Sequence, residues 1–206
     1  MDNSVSPPPV GTPRARRGLR REEIVVAAAG LFARRGYHGV SIDDLGAAVG
    51  MSGPGIYRHF SGKEAVLSEM LLDISGRLLE EGSRRAIEAA DAPSALDALL
   101  RWHVEFALGQ PDLITVHFRE LENVPEAARR QIRRLQRLYV EEWVTVLSEM
   151  FPLAPQSRLR TAVHAMFGLL NSTPHSAIEL PSANVSELLF TMARSALLAA
   201  GEQVNP

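Results

Sequence analysis

The chain has 206 residues, with 22 Lys and Arg against 24 Asp and Glu, a formal net charge of −2, six histidines and no cysteine. That length holds one helical body or two modest domains, and a 46% hydrophobic content is enough for a core. The missing cysteines exclude a disulfide framework and any thiolate metal site, and the longest apolar run, Ile24 to Ala33, is far too short to span a bilayer.

The balanced total hides an asymmetry. Residues 1–63 carry eight arginines and one lysine against five acids, whereas residues 64–206 carry thirteen arginines against nineteen acids. A basic front on an acidic remainder suits a head that meets a polyanion and a body that stays off it. The amino-terminal segment has no apolar signal-peptide core, so a soluble, cytoplasmic protein is expected.

In chain order, residues 1–18 are rich in Pro, Ser and Arg and read as a disordered basic arm. Within it Arg14, Arg16 and Arg17 are candidates for phosphate or minor-groove contact. A first helix is expected over about 20–35, with Ile24, Ala28, Leu31 and Phe32 as its stripe and Gly36 as its stop. Arg20 and Arg21 stand at its start, the wrong end for the helix dipole, so an external anion such as a phosphate would explain them.

Residues 41–63, SIDDLGAAVGMSGPGIYRHFSGK, read as two helices of about two turns joined by a tight turn. Ser41 and Asp44 form an S-x-x-D capping box. Ile42, Leu45 and Val49 turn inward, and Gly50 supplies the left-handed residue that ends the helix. Ser52 caps the second helix, Pro54 lies just inside it, and Ile56 and Phe60 point back to the core. This is a helix-turn-helix, whose second helix enters the DNA major groove.

Residues 20–70 resemble the DNA-binding domain of TetR/AcrR-type transcriptional regulators. Ala28, Leu31 and Phe32, Arg35-Gly36-Tyr37, Ser41-Ile42-Asp43-Asp44-Leu45, Gly50-Met51-Ser52, Ile56-Tyr57-Arg58-His59-Phe60 and Lys63-Glu64 carry the resemblance in unbroken register. It implies an all-α fold: a three-helix DNA-binding domain over 19–64 followed by a larger helical ligand-binding and dimerisation domain over 65–206, about nine helices in all. It also implies a double-stranded DNA operator as partner, a homodimer and a small-molecule effector; from the motifs and apolar runs themselves no cofactor and no membrane partner is expected. Lys63, the only lysine, matches a family position that meets a phosphate, as do Tyr57 and His59. Arg20, Ser41, Ser52, Gly53, Pro54, Gly55 and Arg58 complete the candidate DNA-binding set. Gly53-Pro54-Gly55 gives little side chain where many relatives carry Lys, Arg or Thr, so DNA shape takes a larger share of the readout.

A second capping box, Ser61 to Glu64, opens a long helix to about residue 90 with Leu67, Met70, Leu71, Ile74, Leu78 and Leu79 along one side. Gly76 and Gly82 favour a bend. Continuous with the head at one end and the body at the other, this helix is the lever. Further helices are expected over about 93–109, 112–122, 126–150, 155–173 and 184–200, broken by prolines.

The body interleaves apolar and aromatic residues with a few polar ones; the group includes His103, Ile114, Leu121, Tyr139, Met166 and Asn171, and within it Trp102, Phe106, His117, Phe118, Trp143 and Phe167 are the candidates for an inducer pocket. Their apolar character suits a lipophilic or acyl-type effector, acyl-CoA among them. Arg129, Arg130, Arg133, Arg134 and Arg137 form one stripe, a solvated face by default and an anion site in the sharper alternative. Leu159, Val163, Met166, Leu170, Leu188 and Met192 on the last two helices are the candidate dimer interface. No zinc-protease, nucleophile-elbow, dinucleotide or P-loop motif occurs, so no catalytic or metal residue is assigned. A regulator without a small-molecule ligand, and an all-α enzyme, are the rival readings.

Overall fold

The computed structural model describes residues 13–176 and 182–202. Ten α-helical segments, two of them single turns, account for most of these residues, and no strand occurs among them.

Helix α1 (Pro13–Arg35) begins well before residue 20. Proline at the first helical position loses nothing by lacking an N–H, so residues 13–18 are helix rather than arm, and residues 1–12 of that arm lie outside the described residues. The added length gains a tertiary contact: the Arg17 guanidinium donates to the Arg58 carbonyl at 2.9 Å. Gly36, at φ 72°, ends the helix as expected.

Helix α2 (Ile42–Ala48) carries both halves of the capping box. The Ser41 hydroxyl accepts from the Asp44 N–H at 3.1 Å, and the Asp44 carboxylate accepts the Ser41 N–H at 2.8 Å. Gly50 takes the left-handed conformation, φ 66°. Helix α3 (Gly53–Ile56) is one turn, not two. Two of its four residues are glycine, each costing about 1 kcal/mol of helix propensity. Ser52 stands at the N-cap without a side-chain bond, while Pro54 occupies the first turn. From Tyr57 to His59 the path continues as a hydrogen-bonded turn, with bonds such as His59 N–H to the Ile56 carbonyl, 2.8 Å.

Helix α4 (Lys63–Glu88) starts one residue later than the predicted Ser61 cap would allow. Gly62 is its N-cap, so the Ser61–Glu64 box is out of register and does not form. Gly82 makes a close approach: a β-carbon there would lie 2.6 Å from Cε2 of Tyr139. The body continues with α5 (Ala92–Gly109), α6 (Pro111–Glu120) running into a 3₁₀ turn at Leu121–Asn123, and α7 (Glu126–Met150). It closes with α8 (Gln156–Leu170), the single turn α9 (Thr173–Ser176) and α10 (Ser182–Glu202). Pro174 therefore opens a turn instead of merely ending α8.

Two apolar cores meet along α4. The head core joins Ile24, Phe32, Leu45 and Ile56 to Val66, Leu67 and Leu71 of α4, and also to Val116 of α6 and Ile132 of α7. The body core packs α5, α7, α8 and α10 around Leu99, Trp143, Leu147 and Val163. Leu159, Val163, Met166 and Leu170 are at most 1% exposed in that core. They are therefore not a dimer surface: α8 needs this face against its own neighbours. Leu188 and Met192 of α10 do remain on the outside, 49% and 47% exposed. No helix of the described residues is long and apolar enough to cross a membrane.

The α2–α3 junction predicts a contrast between two glycines. A β-carbon on Gly46 would lie 2.7 Å from the Met51 carbonyl oxygen, which the backbone holds in place. On Gly53 it would meet the Asp43 carboxylate, which is free to swing away. Gly46→Ala should therefore lower stability by about 1–3 kcal/mol in urea unfolding, and Gly53→Ala by clearly less.

Candidate functional site

The exposed edge of the head carries Ser52, Pro54, Tyr57 and Arg58. Tyr57 is 58% exposed. Gly55 and His59 are partly covered, and Gly53 is buried where a β-carbon would run into Asp43, so Gly53 belongs to the junction rather than to the outer edge. Ser41 is exposed, but its hydroxyl is committed to Asp44.

Much of the predicted phosphate-binding charge is engaged within the chain. Arg21 bonds the carbonyl of His59 and pairs with Glu69 of α4 while its guanidinium lies 4.1 Å from the Phe60 ring centroid. The anion that explains Arg21 is therefore Glu69, an internal one, and Arg20 pairs with its neighbour Glu23 at 2.6 Å. Lys63 donates to the carbonyls of Tyr37 and Val40 at 2.9 and 3.0 Å and lies 4.3 Å over the Tyr37 ring. An ammonium has three donors, so this latch on the α1–α2 connection leaves one N–H over. Arg35 forks onto Asp44 at 2.9 and 3.2 Å, which with the Ser41 bonds holds the Asp44 carboxyl well below the usual range. His59 is held below its ordinary value by burial and then by Arg17, Arg21, Arg20 and Arg58. Four guanidinium groups thus raise the positive potential at the end of the recognition segment.

In the body, α4, α5, α6, α7 and α8 enclose a cavity of about 310 Å³. Phe106, His117, Phe118 and Phe167 line it as predicted. Trp102 does not: it leans outward beneath Arg85, whose guanidinium is 4.5 Å from its ring. Helix α5 turns His103 and Phe106, three residues apart, to the cavity, which leaves Trp102 on the other flank. Trp143 is fully buried behind the wall, edge-on to Tyr139 and Phe167 at 6.0 and 5.4 Å.

The polar lining consists of Ser75, His103, His117, Gln136, Tyr139, His164 and Asn171, with no Asp, Glu, Lys or Arg among the described residues. Of these His117 is in the predicted pocket set, and His103, Tyr139 and Asn171 are in the wider group of body residues from which that set is drawn. A signal exists: Gln136, Tyr139 and Val140 on α7, and His164, Phe167 and Gly168 on α8 with Asn171 just past its end, recur at three- and four-residue spacing. His103, 3% exposed, is within 3.1 Å of the Asn171 carbonyl oxygen by Nε2 and 3.4 Å of the Tyr139 hydroxyl by Nδ1. Burial pushes the His103 imidazole down to about 4 and the Tyr139 phenol up. Gln136 and His117 bond one another across the wall.

The arginine stripe of α7 does not face the cavity. Arg129, Arg130 and Arg133 pair with Glu122 and Glu126, while Arg134 and Arg137 are exposed.

Helix α6 reaches both regions. Ile114, His117 and Phe118 line the cavity. On its other side Val116 is in the head core, and Arg119 donates to the Ala33 carbonyl at 3.3 Å, near the end of α1.

Comparison with known proteins agrees with this division. The model of bacterial regulatory proteins of the tetR family matches residues 24–70, and that of the tetracyclin repressor-like C-terminal domain matches residues 89–175. The HTH-type transcriptional repressor KstR2 of Rhodococcus jostii (strain RHA1) is 26% identical over 144 residues, which are 69% of this chain and 70% of that protein. A TetR-family transcriptional regulator from Bordetella parapertussis 12822 superposes with a TM-score of 0.77 at 24% identity, over 87% of this chain and 96% of that one. The regulator FadR from Bacillus subtilis, solved in complex with stearoyl-CoA, superposes with a TM-score of 0.70 at 18% identity, over 89% and 99% of the two chains.

The buried imidazole makes stability pH-dependent. An ordinary His, near 6.5 when unfolded, takes a proton that folded His103 refuses until about pH 4. Stability from this group is complete above about pH 6.5 and is lost as pH falls toward 4, roughly 3 kcal/mol in all. Urea unfolding between pH 7 and 5 should show this slope in the native chain and a shallower one in His103→Gln.

Proposed function

Because the chain belongs to the TetR family of bacterial regulatory proteins, and is therefore a DNA-binding transcriptional regulator, we propose that it is a homodimeric repressor released from its operator by a lipophilic, acyl-type effector. The observation that carries this reading is the sharing of two helices. Helix α4 contributes Val66 to Leu71 to the head core and Ile74, Ser75 and Leu78 to the cavity wall, and α6 contributes to both in the same way. At 1.5 Å per residue, Lys63 and Leu78 on α4 are about 22 Å apart, so a small tilt at the cavity becomes a displacement of the head.

In the proposed complex Ser52, Pro54, Gly55, Tyr57 and Arg58 approach the major groove, with Arg17, Arg20, His59 and the remaining N–H of Lys63 on the flanking phosphates. Two heads of a symmetric dimer then meet half-sites about one helical turn or more apart. The outward face of α10 with Leu188 and Met192 and the solvent side of α8 supply the dimer contact in this reading, in place of the buried α8 stripe. The acyl-type effector is supported by the apolar lining and by the FadR fold relative with its bound stearoyl-CoA.

Footprinting on the chain's own promoter region, with and without acyl-CoAs of graded length, tests the proposal. Protection of a pseudo-palindrome that is lost on adding one of them is expected. Effector and DNA should weaken each other by one shared coupling factor, typically 5–150-fold. Protection indifferent to every acyl-CoA would reject the effector, and no protection at all would reject the operator. Lys63→Ala should weaken binding to all DNA sequences and lower the salt slope by about 1. An unchanged slope would limit Lys63 to its latch on Tyr37 and Val40.

A further inference from the structure

We propose that the cavity reads the carbonyl oxygen of an uncharged aliphatic ketone, ester or thioester through the amide N–H groups of Asn171, and rejects the matching carboxylates and amines. This rests on the reading of the cavity as an effector site.

The hydrogen-bond directions follow from the acceptor at one end. The Asn171 side-chain carbonyl only accepts, so Nε2 of His103, 3.1 Å away, carries the proton. Burial keeps the imidazole neutral, which makes Nδ1 a lone-pair acceptor, and the Tyr139 hydroxyl 3.4 Å from it donates. The chain thus runs Tyr139 to His103 to Asn171 in one direction. What it leaves over at its end is the Asn171 NH₂ group, which has no partner among the described residues, on a residue that lines this cavity and the smaller pocket adjoining it at Phe118 and Pro174. An amide N–H pair asks for an oxygen acceptor. Ser75 of α4 adds a hydroxyl to the same wall.

The rest of the lining decides the charge of that acceptor. No cation lines the cavity to balance a carboxylate, and no anion to balance an ammonium; Arg119, in the adjoining pocket that shares Asn171, is turned to the Ala33 carbonyl at 3.3 Å. The exposed imidazole of His164 is seven residues from Asn171, two turns or about 10 Å along α8. It is at the rim, too far to neutralise a charge bound at Asn171. Uncompensated burial of an ionised group costs several kcal/mol, whereas a carbonyl oxygen takes the N–H groups without that penalty.

Calorimetric titration of the full chain near neutral pH with hexane, 2-heptanone, methyl hexanoate, hexanoyl-coenzyme A, hexanoate and hexylamine tests this. The ketone and the methyl ester should bind more than about tenfold tighter than hexanoate or hexylamine. Asn171→Ala should cost the ketone about five- to tenfold and leave hexane unchanged. Asn171→Asp should move the preference to hexylamine. A further gain for hexanoyl-coenzyme A over the methyl ester would identify a thioester as the carbonyl source, and equality would identify a free ester or ketone. Hexanoate binding as tightly as the ketone, or hexane binding as tightly as the ketone, would overturn the assignment while leaving the cavity as a ligand site. Failure of every probe would overturn both. The native-chain series alone decides the charge preference should the Asn171 variants not fold.

Discussion

The two ends of α4 are not independent. Val66, Leu67 and Leu71 are fully buried in the head, while Ile74 and Ser75, less than two turns on, are buried beside the cavity. A close-packed interior does not deform smoothly, so on the proposed reading a ligand that presses on Ile74 is accommodated by movement of the helix. Gly82 tightens the restraint further along, because α7 approaches so closely there that Tyr139 occupies the place of a β-carbon. Tyr139 is itself a cavity wall. The constraint thus runs from the cavity wall along α4 into the head core.

Helix α6 supplies a second, shorter route. Its Arg119 bond to the Ala33 carbonyl lies near the end of α1, where unsatisfied carbonyls concentrate negative charge. Glu120, 6% exposed and bonded by Asn123 at 2.8 Å, comes within 3.7 Å of the site of a β-carbon on Gly36. One short helix therefore touches the cavity on one side and the end of α1 on the other. On the proposed reading, effector binding acts on the head through both α4 and α6, and the two routes converge on α1.

The head resolves an apparent surplus of cations. Arg21, Arg35 and Lys63 each satisfy a carbonyl or carboxylate of the same chain, and these bonds hold α1, the α1–α2 connection, the recognition segment and α4 together. Arg17, Arg20 and Arg58 are on the exposed side, with Arg17 bonding the Arg58 carbonyl and Arg20 pairing with Glu23.

Local chemistry alone determined a good part of this molecule. The capping box at Ser41 and Asp44, the left-handed Gly36 and Gly50, the inward Leu45, Ile56 and Phe60, and the continuous α4 all depend on residues within a few positions of one another, so their spacing suffices. The family membership was legible for the same reason, since its motif is a contiguous stretch. The errors share the opposite origin. The Ser61 box, the length of α3 and the start of α1 turned on one-residue register or on distant contacts such as Arg17 with Arg58. Leu159, Val163, Met166 and Leu170 form an apolar stripe whichever partner covers it, and only packing against α5, α7 and α10 assigned it to the interior. The cavity is the clearest case. Its polar row of Tyr139, His103 and Asn171 draws on three helices, and no periodicity within one helix says which flank the others will leave uncovered.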